Sequence, residues 1–272
     1  MRLFMTETYS TLKQMRDINI CDTHAHINFS HFDKDREEIL RDIDERFDFV
    51  VEVGIDIDAS ADANKLAEKN RKVYSSIGIH PHDVASAGKN YREELEELSK
   101  HKKVVAVGEI GLDYYRDISP RRTQRIMFAE QLEFSMEKKL PVIIHVRDAY
   151  DDAFEILESF AGDINGVVHA FSGDRYSAEK IVSMGFKIGI GGPVTYKKNN
   201  ELREAVKSTN IKFLLPETDC PFLPPQPFRG KRNQPAYVEH IIRKIAEIKE
   251  IDVTECAKKL CDNGRELFGI KV

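Results

Sequence analysis

The sequence has no tryptophan, and its mean hydropathy of −0.44 gives no support to a role on a membrane surface. No window approaches the ~18 consecutive apolar residues of a spanning helix. The opening MRLFMTETYSTLKQMRD lacks the apolar core and small-residue cleavage site of a signal peptide, so a cytoplasmic location is expected. Cysteine is scarce: Cys21, Cys220, Cys256 and Cys261 form no CxxC pair, match no zinc-finger spacing, and read as reduced thiols. An excess of positive charge is also missing. Lys plus Arg is 41 against 46 Asp plus Glu, a formal charge of −5, which excludes tight sequence-blind coating of DNA but leaves room for a local phosphate site. Dinucleotide and P-loop fingerprints are absent too, because Gly189-Ile190-Gly191-Gly192 is followed by Val194 where a third glycine belongs.

What the 272 residues do contain is a repeated alternation. Short β-branched runs begin at Asn19, Asp48, Val73, Val104, Pro141, Gly166, Phe186 and Lys212, and stretches of helical period separate them. Helical segments are predicted at Asp35 to Arg46, Ala61 to Asn70, Tyr91 to His101, Arg121 to Lys139, Tyr150 to Phe160, Ala178 to Met184 and Asn200 to Ser208. Two more, Tyr237 to Lys249 and Thr254 to Phe268, follow the last strand. Runs such as Val104-Val105-Ala106-Val107 are apolar on both faces, as in a parallel sheet covered by helices. Eight such units predict a single (β/α)8 TIM-type barrel, slightly distorted, with an extra C-terminal helix. It is read as one domain over 1–272, with a hydrophilic extension over 1–17.

Chemistry in such a barrel sits at the C-terminal ends of the strands. Those ends supply Asp22, His24 and His26, then His80, Glu109, His145 with Arg147, His169, and Glu217 with Asp219. His24 and His26, two apart on a strand, point the same way and can reach one ion. Burying so many unpaired titratable groups would be costly, which favours metal ligation over separate hydrogen-bonded core histidines. Four histidines and two carboxylates exceed one tetrahedral ion, so a pair of divalent ions (Mg, Mn or Zn) is expected, with Glu109 at mid-barrel as the bridge. Asp219 touches a metal and accepts a proton in this reading, or else caps a helix. His80 is a leaving-group acid or a turn-stabilising residue. His82 is the weaker candidate beside it, and Asp22 either orients an imidazole or ends a strand.

The blocks Asp22-Thr23-His24-Ala25-His26, Gly78-Ile79-His80-Pro81-His82, Gly108-Glu109-Ile110-Gly111-Leu112-Asp113, Ile144-His145-Val146-Arg147, His169-Ala170-Phe171-Ser172-Gly173 and Glu217-Thr218-Asp219-Cys220-Pro221 resemble, in order, the signatures of the TatD family of metal-dependent deoxyribonucleases. Arg229-Gly230-Lys231-Arg232-Asn233 also looks like the family pattern, and the resemblance runs from about Asn19 to the C-terminus. It implies that His24, His26, Glu109, His145, His169 and Asp219 are the metal ligands, that His80 is an active-site residue, and that DNA is the substrate. Cys220 stands where a serine is usual and Ala170 where a cysteine is usual. A thiol beside Asp219 would bias the site toward zinc or make it oxidation-sensitive.

The reaction expected is phosphodiester hydrolysis through a metal-bridging hydroxide, with Asp219, His80 and Glu109 as the catalytic groups. Arg147, Arg116, Arg229, Lys231 and Arg232 are the candidate phosphate contacts, and Tyr114 and Tyr115 the candidate stacking surfaces for an unpaired base. An acidic chain with a basic mouth suggests end-on gripping, hence exonuclease action on single-stranded or frayed ends, for which 3′-5′ polarity is the expectation although charge does not determine it. The rivals are an amidohydrolase or lactonase acting on a small carbonyl metabolite, and a non-catalytic metal-dependent nucleic-acid binder. No membrane and no stable protein partner are expected.

Overall fold

In the computed structural model, which describes residues 20–271, eight strands pair in parallel in strict chain order. They are β1 (Ile20–Ala25), β2 (Phe47–Val53), β3 (Val73–Ile77), β4 (Val104–Asp113), β5 (Val142–Arg147), β6 (Gly166–Val168), β7 (Lys187–Ile190) and β8 (Leu214–Pro216). The extension over 1–17 lies outside the described residues. The helices are α1 (Arg36–Arg46), α2 (Ile57–Lys69), α3 (Tyr91–Leu98), α4 (Arg121–Lys138), α5 (Tyr150–Glu158), α6 (Arg175–Ser183), α7 (Asn200–Ser208), α8 (Val238–Lys249) and α9 (Val253–Phe268). Each strand is followed by one of α1 to α8, and α9 is the extra helix. The sheet closes where β1 meets β8, through a bridge between Ala25 and Cys220 and two 2.9 Å bonds, His26 N–H to the Cys220 carbonyl and Asp219 N–H to the His24 carbonyl.

The barrel interior is apolar toward the strand starts, where Cys21, Phe49, Val51, Val105, Ile143, Val167 and Leu215 cluster and α9 adds Cys261, Leu267 and Phe268. Each large side chain buried there is worth about 1.5–3 kcal/mol, so this end of the barrel is where stability concentrates. The polar strand ends rest on that floor.

Two helices start earlier than their hydrophobic period suggests, because an aspartate caps each. Asp56 accepts the Ala59 N–H and starts α2 at Ile57, and Asp174 accepts the Ser177 N–H and starts α6 at Arg175. Strands β6 and β8 are only three residues long, shorter than predicted. Ala170 (φ 43°) and Asp219 (φ 55°) take up left-handed backbone, which cannot continue a strand, so His169 and Asp219 stand on loops just past the strand ends.

Strand β4 does the opposite and runs on to Asp113. From Val107 to Ile110 it advances three residues while β5 advances two, from Val142 to Ile144, so one extra residue bulges into β4 beside Glu109. Beyond the bulge Gly111 lies against His145, at φ 138°, and a Cβ there would sit 2.0 Å from the His145 carbonyl oxygen. Only glycine permits that approach. It keeps Glu109 and Asp113, four residues apart on one face of β4, alongside His145.

Candidate metal centre

Glu109 is 3 % exposed and lies among the imidazoles. Its Oε1 is 2.7 Å from His169 Nε2, 2.9 Å from His145 Nδ1 and 3.4 Å from His80 Nε2. Its Oε2 is 3.3 Å from His24 Nε2 and 3.8 Å from His26 Nε2. The two β1 imidazoles point their Nε2 atoms at each other across 3.2 Å, and Asp219 Oδ1 lies 3.7 and 3.5 Å from them. All six residues the sequence nominated as ligands, and His80 with them, are thus brought to one spot.

This donor set fits a divalent cation. His26 Nδ1 is 3.0 Å from the Val53 carbonyl, an acceptor only, so the ring's proton is held on Nδ1 and the Nε2 lone pair turns toward the cluster. An Nε2 facing His24 Nε2 and two carboxylates across these distances suits a positive centre between them, which a proton or a metal cation can supply. Three groups have donor atoms all within 4.8 Å of one another: His24, Glu109 and His169; His24, His26 and Asp219; and His80, Glu109 and His145. Nitrogen and oxygen donors of this kind suit zinc, manganese or magnesium. Cys220 joins none of these groups among the described residues. Burial pushes its thiol well up, so it stays protonated, and the expected thiol effect on metal choice is not borne by its position.

The electrostatics follow from burial and neighbours. Burial pushes His24 down to about 4, with the His169 ring adding to the effect, and pushes His80 down to about 4. Burial opposes charge on His26 and His145 as well, but Asp219 with Glu109 raises the first to about 9, and Asp113 with Glu109 raises the second to about 9. Glu109 is held well below the ordinary carboxylate range because the surrounding imidazoles, His169 and His80 foremost, overcome its burial. Asp219 is lowered in the same way by His26 and its neighbours.

Three carboxylates had no settled role in the sequence. Asp113 receives the Arg116 N–H at 2.8 Å and stands 3.1 Å from His145 Nε2 and 2.9 Å from His82 Nε2, so it backs two imidazoles at once. Glu52, an isolated acid in the apolar run of β2, accepts the Ile27 and Asn28 N–H groups at 2.8 and 2.9 Å and fixes the turn after His26. Asp22 accepts Thr218 N–H at 2.8 Å and Thr218 Oγ1–H at 2.5 Å, so it ties β1 to the segment after β8 rather than orienting an imidazole.

The cluster forms the base of a cavity of about 840 Å³ whose wall includes Arg116 and Arg147. Arg229, Lys231 and Arg232 do not line it. Arg229 lies over the Tyr196 ring at 4.5 Å. Arg232 is a correction to the sequence reading: its guanidinium is paired with both Asp35 oxygens, at 2.8 and 2.6 Å, and packs over Phe32. Tyr114 is another, because its hydroxyl donates to Asp152 at 2.5 Å and Arg121 covers its ring.

The family described as "TatD related DNase" matches residues 21–269. The chain belongs to the TatD family of metal-dependent hydrolases. It is 42% identical over 251 residues to "Uncharacterized metal-dependent hydrolase YabD" of Bacillus subtilis, covering 92% of this chain and 98% of that protein. It is 34% identical over 256 residues to "3'-5' ssDNA/RNA exonuclease TatD" of Shigella flexneri, covering 92% and 98%. The solved TatD homologue YJJV of Escherichia coli superposes with a TM-score of 0.87 at 31% identity, over 93% of this chain and 98% of that one. TatD membership makes the protein a metal-dependent hydrolase on a TIM barrel, in agreement with the donor cluster. Among the described residues no helix is long and apolar enough to cross a membrane.

Proposed function

We propose that this TatD-family protein is a single barrel domain that removes nucleotides from the 3′ end of single-stranded or frayed DNA, with His24, His26, Glu109, His145, His169 and Asp219 holding two divalent cations (Mg, Mn or Zn). The observation that carries this reading is a carboxylate, Glu109, ringed by imidazoles at the base of a cavity that bears two arginines on its wall. The exonuclease name of the Shigella relative supports the choice of substrate. Cations in such a donor set supply Lewis acidity to a phosphoryl oxygen and make water more acidic.

The chain's own groups do the rest. Arg147 and Arg116 meet the phosphate with guanidinium forks that match its oxygens. Asp219, depressed and therefore ionised at neutral pH, takes the proton from the attacking water. His80 is neutral there, and its Nδ1 accepts the His82 N–H at 3.2 Å, so its proton sits on Nε2. It therefore acts toward the departing oxygen as a neutral hydrogen-bond donor and not as a cationic acid. The scarcity and spacing of cysteine suggest the cytoplasm as the place of work.

The test is digestion of a 5′-labelled single strand beside a panel of amides and lactones. A ladder of shortened products is expected, abolished by chelator and slowed about 10²–10⁴-fold in Asp219→Asn. Turnover of carbonyl substrates alone would replace this reading with the amidohydrolase one, and tight binding without cleavage in several divalent ions would replace it with a binding module.

A further inference from the structure

Phe222 stands three residues past Asp219 on the cavity rim and is 46 % exposed. Single exposed apolar side chains are ordinary on protein surfaces. This one differs because its backbone is clamped. Its N–H donates to the Asp219 carbonyl at 2.9 Å. The fully buried Asn233 donates from Nδ2 to the Phe222 and Thr218 carbonyls, at 2.6 and 2.8 Å, and from its N–H to the Pro221 carbonyl at 3.0 Å. Leu223 follows in the left-handed region, at φ 48°, with its carbonyl pressed on Gly192, where a Cβ would lie 2.0 Å away. A ring carried on so firmly held a backbone has only its own side-chain torsions to lose when something stacks on it.

The ring also has a defined relation to the donor cluster. Phe29 lies flat on His26, with centroids 4.7 Å apart and planes at 14°, and Phe222 meets Phe29 edge-on at 6.2 Å and 72°. The centroids of His26 and Phe222 are 6.5 Å apart. The remaining phenyl or phenol ring on the cavity wall, Tyr115, has Arg147 over it at 4.3 Å. Tyr115 is itself 58 % exposed, so what sets Phe222 apart is its place: its centroid lies 6.5 Å from that of His26, with Phe29 and His31 edge-on to it, which makes it the exposed lining ring that adjoins the cluster.

We propose that Phe222, backed by Phe29, is the stacking platform for the base of the 3′-terminal nucleotide whose 5′ phosphate meets the Glu109–Asp219 cluster. This rests on the exonuclease reading above and names how that site selects its substrate. Stacking accepts all four bases because each has a π-face, so the platform reads whether a terminal base is present and unpaired, and not which base it is. Duplex ends then have to fray before they are cut.

The experiment compares two 5′-labelled strands that differ only in having a base or an abasic residue at the 3′ terminus. The wild type is expected to prefer the base-bearing strand about 10-fold in kcat/KM, with most of the difference in KM. Phe222→Leu, which keeps an apolar side chain without a π-face, should cut both strands at the wild-type abasic rate, and Phe222→Trp should restore the preference. In an Asp219→Asn background, a fluorescent adenine analogue at the 3′ terminus should be quenched on binding and lose that quenching when Phe222→Leu is added. A wild type indifferent to the terminal base overturns the proposal, as does an equal loss on both strands in Phe222→Leu. A wild type that shortens neither strand overturns the exonuclease reading with it, whereas indifference in an active enzyme overturns the platform alone.

Discussion

Six buried carboxylates crowd the polar end of this barrel, and they divide into two sets. Glu109, Asp113 and Asp219 face imidazoles, and each is held below the ordinary carboxylate range despite burial. Asp22, Glu52 and Glu217 are hydrogen-bonded by backbone N–H groups or a hydroxyl instead, and the one imidazole near Glu217, His169, stands off at 3.8 Å. Burial raises the first two to about 7 and drives Glu217 well above its ordinary value. Burial alone pushes every acid up, and hydrogen bonds from neutral donors recover only part of that rise. Only the imidazoles reverse it. The first set therefore keeps negative charge available where cations would sit, and the second holds the surrounding backbone in place.

Substitutions in the two sets should then fail differently. The largest effect is expected at Glu109, where Glu109→Gln removes a charge faced by five imidazoles. Loss of several kcal/mol of electrostatic stabilisation is about 10³-fold in kcat/KM, with bound metal falling in elemental analysis. A variant that kept both metal and rate would dissolve the distinction between the sets. Asp113→Asn should have a smaller effect, weakening metal affinity by about 10–100-fold in a titration while the protein stays folded. Unchanged affinity would move Asp113 out of the first set.

The smallest effect on catalysis belongs to Glu52, whose replacement should appear in stability. Glu52→Gln can offer only one acceptor oxygen to the Ile27 and Asn28 N–H groups, at a cost of about 1–3 kcal/mol. Its pH dependence is more telling. The folded chain holds a proton on Glu52 up to about pH 7, while the unfolded chain releases it near the ordinary value of 4.5. Wild-type stability from this group thus falls as pH rises from about 4.5 to about 7, and the glutamine variant should be flatter across that window in urea unfolding. Identical slopes would show that Glu52 is not buried as a neutral acid.

The sequence made most of the donor cluster legible because its residues sit at the ends of runs whose apolar character is unmistakable. Two histidines at i and i+2 need no tertiary information to share a face. Asp113 is obscured because β4 runs four residues past Glu109, the group the sequence puts at the end of that strand, and the bulge that realigns it exists only in the pairing with β5. Glu52 carries a signal in the sequence itself: one acid inside an otherwise apolar strand must find a partner or stay protonated. Arg232 could not be read at all, since its partner Asp35 lies 197 positions away and a guanidinium committed to a carboxylate looks the same in sequence as one awaiting phosphate. Helix starts escape the hydrophobic period for a related reason, as Asp56 and Asp174 act through a single hydrogen bond that no such period reports.

The seam between β1 and β8 also sets when the protein can act. His24 and His26 are made early, yet Asp219, the anchor Thr218 and the clamp Asn233 are made only about two hundred residues later. A nascent chain therefore carries imidazoles without a pocket, and the donor cluster of this hydrolase can assemble only once the segment after β8 has been made.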